Sequence, residues 1–137
     1  MKTVFCPLCK MPIKVVLKNE TANEWKNCGK CGQPSYLIVT SEGKSAVKSL
    51  KEMIDENPKK TVISLFETLL RKKEMHIDDL IFMVGKQVER EIEKFYGLHV
   101  LDKKGYAYFI RPGLEKFIAE YIAPYAERKD ILEKFLE

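Results

Sequence analysis

The chain has 137 residues, 45% of them apolar and 32% charged, which suits a folded chain of one ordinary domain or of a small and a medium one, not a disordered tail. Its net charge of +4 resides entirely in residues 1–44, where seven lysines face three glutamates, so the chain is no generic polycation. No apolar run approaches ~18 residues and no signal-like stretch precedes Cys6, so the expectation is a cytoplasmic protein with reduced thiols and no membrane contact.

After the first two cysteines, Ile13, Val15 and Leu17 alternate with Lys14, Val16 and Lys18, the period-2 pattern of a strand with one buried face. Residues 19–23 read as a polar turn, 24–27 lead into the second cysteine pair, 36–40 supply another strand and 41–44 a linker. From Ser45 the period turns helical, with Val47, Leu50 and Ile54 on one face until Asn57-Pro58. A helix over 61–73 turns Val62, Ile63, Leu65, Phe66, Leu69 and Leu70 inward and ends in Arg71-Lys72-Lys73, where cations suit the helix dipole.

Asp78-Asp79, suited to the positive end of a helix, opens an apolar stretch to Val84. Gly85 interrupts it, and Val88, Ile92, Phe95 and Tyr96 continue the stripe to Gly97. Residues 78–96 are therefore either one helix, with Gly85 costing ~1 kcal/mol, or two helices about a turn. Residues 98–101 and 106–110 predict a hairpin with a charged tip over 102–105, and Pro112 suits the first turn of a final helix. That helix carries Phe117, Ile118, Tyr121, Ile122 and Tyr125 and should kink at Pro124. Ile131, Leu132, Phe135 and Leu136 give the tail a second apolar face, which leaves a homodimer open.

Cys6 and Cys9 are separated by two residues, as are Cys28 and Cys31, with 18 residues between the pairs. A two-residue gap lets two sulfurs of one turn reach the same ion, and two such turns close a tetrahedron. The expectation is one structural Zn2+ with no open position for catalysis; an iron site of rubredoxin type would use the same ligands. Neither His76 nor His99 is needed as a ligand.

The cysteine pattern over residues 4–40 resembles the zinc-ribbon family. Many ribbons place Gly directly after the first pair; Lys10 stands there in this chain, at a cost of up to ~1–2 kcal/mol of backbone strain. Residues 59–120, read as helix, short helix, second helix, hairpin and closing helix, resemble a winged helix-turn-helix domain of microbial transcription regulators. The fold class implied is α+β: a small all-β zinc ribbon (1–40), a linker and connecting helix (41–58), and a mainly helical winged-helix-like domain (59–137).

In such domains the second helix of the pair enters the major groove and the wing touches backbone or minor groove. The resemblance therefore implies that Lys86, Gln87, Arg90 and Lys94 face DNA, with Lys103 and Lys104 at the wing tip. Lys14, Lys18 and Trp25 are the ribbon's candidates, the lysines for phosphate and the indole for base stacking or for covering the ribbon's thin core. Glu89, Glu91 and Glu93 also fit a solvated, salt-bridged helix face. With no Gly-rich phosphate loop and no spare nucleophile pair, no enzyme is expected. The functional expectation is a transcription-associated nucleic-acid-binding protein, DNA more than RNA; the alternative is a protein–protein adaptor or accessory subunit of a polymerase or replication complex.

Overall fold

A computed structural model describes residues 2–17, 20–54 and 58–126. The chain divides into two compact units, Met1–Met53 and Ile54–Glu137. Among the described residues no helix is long and apolar enough to cross a membrane.

In the first unit, β1 (Lys2–Phe5) and β2 (Pro12–Val15) pair antiparallel with Val4 opposite Ile13. A second antiparallel sheet has β4 (Pro34–Thr40) at its centre, flanked by β3 (Thr21–Asn27) and β5 (Ser45–Ser49). Ala22 faces Val39 and Leu37 faces Val47, so strand alternation places these four on one side of the sheet. They pack with Val4, Cys6, Ile13, Val15 and Cys28 into the core, and Leu17 lies against it.

Three stretches depart from the sequence pattern. Residues 21–23, expected in a polar turn, begin β3, where pairing with β4 satisfies their backbone groups. Residues 41–44, expected as a linker, are a hairpin turn in which the Thr40 N–H donates to the Lys44 carbonyl and Gly43 adopts φ +92°. Residues 45–49, expected as helix, are β5, because the free edge of β4 satisfies their backbone groups. Helix begins only at α1 (Leu50–Ile54), behind a capping box: the Glu52 amide donates to Ser49 Oγ at 3.1 Å, and the Ser49 amide to Glu52 Oε1 at 3.2 Å.

The second unit runs α2 (Lys60–Lys72), β6 (Glu74–His76), α3 (Ile77–Val84), α4 (Val88–Gly97), β7 (Leu101–Lys104), β8 (Ala107–Ile110) and α5 (Glu115–Ile122). The inward face of α2 is Val62, Leu65, Phe66, Leu69 and Leu70, and Phe66 meets Phe95 of α4 edge-on with ring centroids 4.9 Å apart. Strand β6 carries no alternating pattern to announce it; it forms by pairing with β8, giving a three-stranded sheet of order β6-β8-β7.

Residues 78–96 are two helices. Gly85 adopts φ +122°, a conformation closed to residues with a Cβ, so the helical ladder stops there and Lys86 and Gln87 complete the turn into α4. The far end of α4 closes in a Schellman motif, with the Val100 amide on the Phe95 carbonyl, the His99 amide on that of Tyr96, and His99 at φ +65°. At the final helix, Pro112 lies in a turn ahead of α5 and not in its first turn. There is no kink at Pro124, because α5 ends at Ile122, before a residue that has no amide proton to continue the ladder. The apolar tail residues 131, 132, 135 and 136 lie outside the described residues.

Gly85→Ala should destabilise the second unit by about 1–3 kcal/mol, since its Cβ would be strained at this φ and would also meet Gln87 Oε1 at 3.0 Å. Urea denaturation checks this; a stability equal to wild type would contradict the turn geometry.

Candidate functional site

The four cysteines sit on two turns of the same construction. In the first, the Lys10 amide donates to the Cys6 carbonyl at 2.9 Å and the Cys6 amide to the Met11 carbonyl at 2.8 Å. In the second, the Gly32 amide donates to Cys28 at 2.9 Å and the Cys28 amide to Gln33 at 3.0 Å. Lys10 and Gly32 occupy equivalent places, and both have positive φ, +67° and +75°. The strain expected at Lys10 is therefore present as a left-handed lysine, whose Nζ donates to the Pro7 carbonyl at 3.2 Å.

Both turns aim their sulfurs at one point. Cys6 Sγ lies 3.7 Å from Cys31 Sγ, Cys9 Sγ lies 3.4 Å from Cys28 Sγ, and all four fall within 4.8 Å of one another. These separations are well beyond the ~2.05 Å of a disulfide, and the four thiols are free. Cys6 and Cys28 are buried while Cys9 and Cys31 are half-buried, so the cluster has a core side and a solvent side. Together they could hold one metal ion.

The thiols are electrostatically unlike. The backbone amides of Cys31 and Lys30 lower Cys28 to about 6. The Gln33 amide pulls Cys31 down, but burial and the neighbouring sulfurs of Cys28, Cys9 and Cys6 outweigh it and push the thiol up to about 12. Without a cation, one thiolate forms readily and its negative charge opposes the next.

The cationic candidates are distributed over both units. Lys14 is exposed on β2, and its carbonyl accepts from Lys26 Nζ at 2.6 Å. Lys18 lies outside the described residues. Trp25 and its cross-strand partner Tyr36 are 5.5 Å apart, edge to face, on the side of the sheet opposite Ala22 and Leu37. The indole therefore does not cover the core that those residues form.

In the second unit, Lys86, Gln87 and Arg90 are exposed and line one depression of about 560 Å³ together with Lys59, Thr61, Glu89 and Glu91. Lys86 precedes α4, whereas Arg90 and Lys94, four residues apart, share one stripe of that helix. Sequence patterning missed the floor of this depression: Glu91 is a buried carboxylate, its Oε1 3.6 Å from Lys59 Nζ and its Oε2 without a hydrogen-bond partner among the described residues. Position on α4 is the signal that would have found it, since Glu91 falls beside Val88, Ile92 and Phe95 on the buried face.

Lys103 and Lys104 belong to β7 and not to the hairpin tip, which is Gly105-Tyr106. Lys103 Nζ lies 4.9 Å from the Tyr96 ring and 5.9 Å from Tyr108, a cation–π corner that engages its charge within the unit. Lys104 is exposed. At the tip Tyr106 is 74% exposed, and His76 caps α3 by accepting from the Asp78 amide at 3.1 Å. No protein-family model, no curated protein and no solved structure matches this chain.

Lys10→Gly should raise the stability of the metal-loaded protein by about 0.5–1 kcal/mol, because relief of the left-handed strain exceeds the added freedom of the unfolded chain; denaturant titration measures it. Metal affinity should fall steadily from about pH 8 to about pH 6, because each thiol still protonated must release its proton to bind. Competition against a chromogenic chelator reads this, and a flat profile would contradict thiolate ligation.

Proposed function

We propose that this chain is a transcription-associated nucleic-acid-binding protein in which Cys6, Cys9, Cys28 and Cys31 hold one structural Zn2+ and residues 59–120 act as a winged helix-turn-helix. Support for the metal is the donor set and its spacing. Zn–S bonds of about 2.3 Å make the edge of a tetrahedron about 3.8 Å, close to the sulfur separations of 3.4 and 3.7 Å. Four protein sulfurs leave no position for water, so the ion's role is to fasten the fold. Iron would use the same ligands, and a colourless protein with one zinc by elemental analysis separates the two.

The observation that carries the nucleic-acid reading is the order of elements around the turn at Gly85. Helix, strand, helix, turn, helix and two strands follow one another, with the first strand closing on the last, and Lys86, Gln87 and Arg90 are exposed where the second helix of the pair begins. In this reading α4 enters the major groove, Lys86 and Arg90 meet phosphate, and Gln87 has the chemistry to read a base edge. Lys94 and Lys104, with Lys14 of the first unit, add phosphate contacts.

Anisotropy titrations on duplex DNA at several salt concentrations test this. Log K should fall linearly with log salt, and Lys86→Ala with Arg90→Ala should reduce the slope by about 2. Absence of binding at low salt would sink the reading. The alternative, an adaptor in a polymerase or replication complex, is favoured by Phe82 and Met83 of α3, which are 88% and 49% exposed. A stoichiometric protein partner released by Phe82→Glu, without salt-dependent nucleic-acid binding, would decide for it.

A further inference from the structure

The hairpin of β1 and β2 has an outward face that neither the metal nor the core uses. Val4, Ile13 and Val15 point inward, which leaves Phe5 and Pro12 directly opposite each other on the outside, and one same-face step along, Thr3 opposite Lys14. Phe5 is 62% exposed. Leu8 and Met11, on either side of Lys10, are each 37% exposed. From Lys2 to Leu17 the chain holds Lys2, Lys10 and Lys14 and not one carboxylate.

An apolar ring framed by cations, with no acid among them, complements a polyanion that carries flat apolar faces. Duplex DNA keeps its base faces inside the stack, and an acidic peptide has no aromatic plane at each charge. An unpaired nucleic-acid strand has both a phosphate and an open base face at every step.

We propose that the outer face of this hairpin binds single-stranded nucleic acid, with Phe5 as the stacking platform for one base and Lys10 and Lys14 holding the flanking phosphates. The proposal rests on the nucleic-acid reading above and shares Lys14 with it, but its platform, Phe5, lies on the first unit and has no part in the duplex contacts given to α4. Its specificity is for strandedness and not for sequence, because every base has a face to stack and the lysines see only phosphate.

The test uses the full zinc-loaded chain, a labelled oligothymidylate and a labelled duplex hairpin, followed by anisotropy. Phe5→Ala should weaken oligothymidylate binding about tenfold and leave the duplex unchanged. Phe5→Trp should retain the affinity, and Lys14→Glu should lower both affinity and salt dependence. Equal zinc content in every variant shows that the fold is kept. Phe5→Ala binding the oligothymidylate like wild type would overturn the proposal, as would equal losses on duplex and single strand. Capture of an acidic peptide or of anionic vesicles through Phe5, with no oligothymidylate binding, would overturn it in favour of another occupant. Phe5-dependent binding of the oligothymidylate without any duplex binding would uphold this site and remove the role given to α4.

Discussion

Four sulfurs within 4.8 Å of one another are the constraint on which the first unit rests. Its two sheets hold few buried side chains, and Cys6 and Cys28 are themselves among them. A unit of about fifty residues with so small a core falls short of what burial alone stabilises, and an ion held by the four sulfurs would make up the difference through folding free energy. The two cysteine turns reach that point by the same pair of backbone hydrogen bonds, so a left-handed residue is required in each. Gly32 adopts it freely, and Lys10 adopts it because the surrounding bonds leave no other conformation.

The second unit depends instead on apolar packing. Phe66 against Phe95 joins α2 to α4, and the Gly85 turn sets where α4 starts. That start decides which charges face outward. Lys86, Gln87 and Arg90 are left exposed beside Lys59, while Glu91, one position further on, is drawn under the helix, where its carboxylate meets Lys59. The acidic residues of α4 thus do not act alike: Glu89 and Glu93 are exposed, whereas Glu91 is buried at the base of the depression that Lys86, Gln87 and Arg90 line. Lys103 is withdrawn in another way, over the rings of Tyr96 and Tyr108. Formal charge counted along the chain therefore misstates the charge available to a partner.

The local chemistry of this protein was legible in its sequence. The cysteine spacing determined the thiol cluster, because two-residue gaps leave sulfurs of one turn nowhere to go but toward a common point. Helical periodicity determined α2 and α4 and most of their buried faces, although Ile63 is only half-buried and Tyr96 is exposed, and alternation determined the inward residues of β2. Tertiary structure alone decided β5, β6 and the outward exposure of Phe5, whereas the burial of Glu91 was implicit in its place on the α4 stripe. Strands β5 and β6 exist because β4 and β8 had free edges, which are groups supplied from elsewhere in the chain. Phe5 contradicts its polarity for the same reason: what surrounds a side chain is set by elements distant in sequence, and periodicity reports only its neighbours along one element.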